Sequence, residues 1–156
     1  MQLSQILERD AVFYEQGVRN KKALLKEIAA RATKLTGLEE RTIFETLLQR
    51  ERLGSTGLGS GIAIPHGKFA DLKKVVGLFV RLSAPIEFEA LDDQPVDLVF
   101  VLLAPESAGA DHLKALAKVS RLLRDNSIIQ KLRGTEDTTA LYSVLTEPAS
   151  SASHAA

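Results

Sequence analysis

"VDLVFVLLA" (Val96–Ala104) is apolar at every position but Asp97. A strand with one wet face would alternate apolar and polar residues. An unbroken apolar run of this length reads instead as a central strand covered by helices on both faces. "VVGLFVRL" (Val75–Leu82) reads as a second strand, with "AVFYE" near Ala11 and "GIAI" near Gly61 as shorter candidates and "IEF" at Ile86 as a further one. Helical spacing surrounds them. In "NKKALLKEIAARATKLTG", Asn20 is an N-cap, Gly37 a stop, and Leu24, Leu25, Ile28, Ala32 and Leu35 form the buried stripe. A second helix is expected from Glu39 to Leu53, with Ile43, Phe44, Leu47 and Leu48 inward and Gly54 ending it. A third runs from Asp111 to Arg124, and shorter ones cover 127–132 and 138–145. Helices and strands interleave without a strict βαβα order. The reading is an α/β domain with a mixed central β-sheet sandwiched between helices on both faces.

The 156 residues suit one domain, expected over 1–146, with a mobile tail over 147–156 in which His154 has no role. Twenty basic residues balance twenty acidic ones, so no global field points to nucleic acid. The absence of cysteine removes disulfides, thiolate metal sites and a cysteine nucleophile together, and suits a reducing compartment. No signal pattern appears at the N-terminus, and no apolar run approaches the ~20 residues of a membrane span. The expectation is a soluble, cytoplasmic protein without membrane insertion.

"GSTGLGSGIAIPHGK" (Gly54–Lys68) is rich in glycine. A triphosphate loop needs G-x-x-x-x-G-K-[ST], and the spacing from Gly54 delivers Gly59 and then Ser60 instead of lysine. The dinucleotide spacing G-x-G-x-x-G also fails, and this loop follows a helix and leads into a strand. Gly54 as a helix cap and the others as turn residues explain part of the cluster. Beyond the glycines an apolar strand stops at Pro65, and His66 and Gly67 come next. That order predicts an imidazole at a strand end, on the sheet rim, with open space beside it.

His112 precedes Leu116, Val119 and Leu123 at helical spacing, so it lies on the inward stripe of its helix. It also falls in the first turn, where free N–H groups and the helix dipole favour an anion. Near the end of the second helix, Arg50 and Arg52 fall at opposite margins of the buried face and Glu51 nearer its centre. Periodicity does not choose among the three. Zinc would want a third ligand that no H-x-x-x-H or H-E-x-x-H spacing supplies. A hydrolytic serine would want G-x-S-x-G, and Gly59-Ser60-Gly61 lacks the flanking positions. Histidine as the nucleophile needs one accessible imidazole and donors for phosphoryl oxygens, with no metal, nucleotide or other cofactor. The inventory fits that third reading best.

"RERLGSTGLGSGIAIPHGK", "QPVDLVFVLLAP" and "DHLKALAKVSRLLRD" together closely resemble the enzyme IIA proteins of the bacterial phosphoenolpyruvate:sugar phosphotransferase system. The likeness is to the fructose/mannitol type, especially its nitrogen-regulatory branch, and covers roughly residues 1–146. It implies a mixed sheet between two helical layers. It implies that His66 takes a phosphoryl group on Nε2 from a phosphohistidine of an HPr-like carrier protein. It also implies that Arg50, rather than Glu51 or Arg52, lies near that group and that His112 lines the same pocket. Thr56, Ser60, Gly67 and the backbone of the glycine loop are then further candidates around the phosphoryl group, with Leu58 and Ile62 as apolar contacts for the donor protein. The free-standing length favours a regulatory signal acting on target proteins. The alternatives are a sugar-uptake component that feeds a IIB partner and, from another class, a non-catalytic binding module.

Overall fold

The computed structural model describes residues 2–147. After one 3-10 turn at Leu3–Gln5, the chain runs through β1 (Leu7–Glu15), α1 (Lys21–Thr36), α2 (Glu40–Arg52), β2 (Gly57–Gly59), β3 (Ile62–Ala63) and β4 (His66–Phe69). It continues through β5 (Val76–Ile86), β6 (Val96–Pro105), α3 (Ala110–Leu122), α4 (Asn126–Arg133) and α5 (Thr138–Thr146). The Asn20 side chain accepts the Ala23 N–H at the start of α1, and Gly37 closes that helix in the left-handed region at φ 76°. Of the expected tail at 147–156, everything after Glu147, His154 included, lies outside the described residues.

β6 is the central strand. It pairs antiparallel with β5 on one side and parallel with β3 and β4 on the other, and β1 joins parallel to the far edge of β5. Every residue of β6 from Leu98 to Pro105 is buried, as an unbroken apolar run requires. Each such Leu, Val or Phe contributes ~1.5–3 kcal/mol relative to exposure.

Alternate residues of β1 meet different helices. Arg31 of α1 lies over the Phe13 ring and bonds Glu15. Tyr14 instead lies under Arg81, whose guanidinium reaches the Arg133 carbonyl at the end of α4. Helices therefore cover both faces of a mixed sheet.

The structure extends the expected strands. β5 runs on to Ile86, which pairs with Val96, so "IEF" begins as the end of β5 and is no separate strand. β2 and β4 are strands that the sequence pattern does not predict. The change at β4 matters for the site. His66 does not sit beyond a strand end; it opens a new strand segment opposite Leu102. Ala63 lies opposite Val99, so three residues pass on each strand and the register is kept. Pro65 has no N–H to give β6, so the ladder lacks a bond there. Its carbonyl accepts the Leu102 N–H and the pairing resumes at His66, while the Ile64 N–H bonds the Thr56 carbonyl on the other side. β2 pairs with β3 and stops short of β4, which leaves β4 as an open edge.

Candidate functional site

An open cleft of about 800 Å³ lies along this edge, between the C-terminal half of α2 and the start of α3. Thr46, Gln49, Arg50, Arg52 and Leu53 line it from one side, Gly109, His112, Leu113 and Leu116 from the other, with His66, Gly67 and Lys68 between them. Gly67 sets the closeness of α2. A Cβ there would stand 2.8 Å from Cγ2 of Thr46, nearer than carbon atoms approach without displacement.

His66 is half-buried. Its Nδ1 lies 2.8 Å from the Ile64 carbonyl. A carbonyl can only accept, so Nδ1 carries the proton and Nε2 holds the lone pair. The Nε–H of Arg50 donates to that Nε2 at 3.3 Å, while its Nη1 donates to the Gly54 carbonyl at 2.9 Å. The His112 ring stands edge-on to His66, with centroids 5.6 Å apart. His112 is only 5% exposed and its Nε2 is buried without a hydrogen-bond partner.

Burial holds the His66 pKa below the ordinary imidazole value; the Ile64 bond opposes that shift and the Arg50 charge adds to it. Burial likewise lowers His112, helped by His66 and by the Lys68 ammonium. Both rings are thus neutral at pH 7, and the cleft presents an unprotonated nitrogen beside fixed positive charge. Among the described residues, no group of three or more His, Cys, Asp or Glu is arranged to hold a metal.

His66, Arg50, His112 and Gly67 come together. Thr56 and Ser60 do not. The Thr56 hydroxyl donates to the buried Glu51 carboxylate, away from the cleft. Ser60 is exposed beyond β2, its N–H bonded to Asp92 and its carbonyl to Arg133. The glycine loop as a whole stays outside the cleft after Gly54. Its glycines answer to packing: at Gly57 a Cβ would lie 2.7 Å from that of Ala90. Ile62 is buried in the core and Leu58, though half-exposed, lies off the cleft. The apolar rim consists instead of Leu53 and Leu113, 85% and 69% exposed. Their signal in the sequence is an apolar residue out of phase with its helix's buried stripe. Sequence reasoning also missed Lys68; alternation along β4 puts it on the His66 face.

A mixed sheet between two helical layers, with paired histidines in a cleft on its open edge, is the arrangement expected of a fructose/mannitol-type enzyme IIA. Residues 5–147 match the family described as "Phosphoenolpyruvate-dependent sugar phosphotransferase system, EIIA 2", and the chain belongs to that family. It is 55% identical over 152 residues to the nitrogen regulatory protein of Bradyrhizobium diazoefficiens, covering 97% of this chain and 99% of that one. The crystal structure of the nitrogen regulatory protein IIA-Ntr of Neisseria meningitidis superposes with a TM-score of 0.86 at 37% identity, over 92% of this chain and 99% of that one. The mannitol enzyme IIA of Escherichia coli, solved in complex with phosphorylated enzyme IIB, shares the fold. Its TM-score is 0.73 at 22% identity, over 89% of this chain and 96% of that one.

Proposed function

We propose that the protein is a phosphoryl carrier that accepts its phosphoryl group on Nε2 of His66 from the phosphohistidine of an HPr-like protein. The phosphorylation state of His66 is then a regulatory signal read by target proteins, and residues 1–146 act as one EIIA domain. The observation that carries this reading is the tautomer. With Nδ1–H held by the Ile64 carbonyl, the lone pair of Nε2 is presented beside the Arg50 guanidinium.

In the transfer, the Nε2 lone pair attacks phosphorus as the N–P bond to the donor imidazole breaks and its electron pair returns to the donor ring. No proton has to move on His66. Its ring gains positive charge while Nδ1 keeps its proton, and the Ile64 carbonyl stabilises that charge. Arg50 exchanges its bond to Nε2 for bonds to phosphoryl oxygens, with its other end still held by Gly54. His112 offers Nε2 to a second oxygen when that nitrogen carries the proton, and Lys68 adds charge at the mouth. Positioning and charge supply most of what such a step asks for. Nothing in this scheme needs a resident cofactor.

Incubation with phosphoenolpyruvate, enzyme I and the carrier should give an acid-labile, base-stable label that disappears in His66→Ala. No label on the wild type would favour the binding-module reading. The regulatory role is supported by relatives of matching length that are named nitrogen regulatory proteins. The sugar-uptake reading has its own support in the mannitol enzyme IIA found with phosphorylated IIB. Rapid transfer from His66 to a fructose- or mannitol-type IIB domain would favour uptake, and its absence regulation.

A further inference from the structure

Glu51 stands between two arginines in the last turn of α2, yet it alone points inward and is 6% exposed. A buried carboxylate persists only where partners compensate its lost hydration. Here they are the Thr56 N–H at 3.1 Å, the Thr56 hydroxyl, and the Lys21 ammonium at 2.8 Å. Lys21 is itself held over the Phe88 ring and near the Phe88 carbonyl.

Two arms run from this cluster to His66. In the first, the carboxylate pins Thr56 against α2. That fixes the short turn containing Gly54, whose carbonyl anchors Arg50. In the second, the Thr56 carbonyl accepts the Ile64 N–H at 3.1 Å, and the Ile64 carbonyl accepts Nδ1–H of His66 at 2.8 Å. Alternation along the strand turns the Ile64 N–H away from β6, toward Thr56, while the Pro65 carbonyl on the β6 side accepts the Leu102 N–H. Both groups that define the state of Nε2 therefore trace back to one carboxylate.

We propose that Glu51, clamped by Lys21 and bonded to Thr56, is the positioning residue that sets the His66 tautomer and the Arg50 guanidinium together. It touches neither the phosphoryl group nor the donor. The kinetic part of this inference rests on the phosphoryl-carrier reading; the structural part does not.

Glu51→Gln tests it. The amide oxygen can still accept the Thr56 N–H, but the NH2 group cannot accept from the hydroxyl, and Lys21 loses its counter-charge. Two NMR readouts are taken on unphosphorylated protein near pH 8, where the imidazole is neutral: the imidazole 15N shifts of His66 and solvent exchange at Arg50 Nε–H. The wild type should hold a single Nδ1–H tautomer and a protected Arg50 signal. Glu51→Gln should mix in the Nε2–H tautomer and expose Arg50. In single-turnover phosphorylation its maximal rate should fall about tenfold, with the half-saturating carrier concentration unchanged.

Thr56→Val, which removes only the hydroxyl, should move the same readouts less, and Thr56→Ser should restore them. If Glu51→Gln does not fold, the Thr56 pair decides. Folded variants that keep the pure tautomer and the protected Arg50 signal overturn the proposal, as does a loss confined to the half-saturating concentration. A wild type that takes no phosphoryl group would end the functional reading, yet the two NMR measurements would still decide the positioning.

Discussion

His66 and its neighbours turn an ordinary imidazole into one with a single defined lone pair. Because burial is the largest influence on both His66 and His112, each should titrate below the ordinary value of 6.5 in an NMR titration. A midpoint above that value for either would contradict these electrostatics. The same shifts link stability to pH. Their folded pKa values are depressed, so the unfolded chain takes up protons first as pH falls. The contribution to stability is present above the unfolded pKa near 6.5 and is lost as pH falls toward the folded values. Urea midpoints at pH 7.5 and about 5.5 should show that loss, and it should shrink in His112→Gln. Arg50→Lys keeps the charge but not the fork that spans Gly54 and Nε2. Phosphorylation should slow by about ten- to a hundredfold; an unchanged rate would mean that charge alone suffices.

Among the elements, β4 and α2 form the tightest constraint on the site. Gly67→Ala would push its Cβ into Cγ2 of Thr46, 2.8 Å away. It should destabilise by about 1–3 kcal/mol. Thr46→Ser removes the obstructing methyl, so the double variant should recover most of the lost urea midpoint. The long elements were legible because their signals are local: caps at Asn20 and Gly37, helical stripes, and the two-sided apolar run of β6. β2 and β4 were not, since short segments rich in glycine carry no period and form only because β3 and β6 offer them edges. Pro65 misled for the same reason. It announces a break but does not say whether the ladder resumes, and here the Ile64 N–H finds Thr56 while His66 rejoins β6. Periodicity could set Glu51 nearer the core than Arg50 or Arg52, and it lies there. It could not reveal that Thr56 would face that carboxylate rather than the cleft, because that bond depends on how the glycine loop folds back.

For the whole molecule, twenty basic residues against twenty acidic ones leave no net charge to steer a partner, so encounter must depend on the local surface. Among the described residues, no helix is long and apolar enough to cross a membrane. The exposed Leu53 and Leu113 flank the cleft on opposite helices, the arrangement a protein donor needs if it is to bring its own imidazole up to His66. Leu113→Glu should raise the half-saturating concentration of the HPr-like carrier about tenfold and leave the maximal rate nearly unchanged, since one such rim contact is worth roughly 1–2 kcal/mol. A loss of maximal rate instead would mean that this helix face shapes the chemistry, not the encounter. The central claim is chemical, and NMR on 15N-histidine-labelled protein after phosphorylation by the carrier tests it most directly. The account predicts a 31P–15N coupling to Nε2 of His66, with Nδ1 still protonated. Phosphorus on Nδ1, on His112, or on neither ring would contradict it.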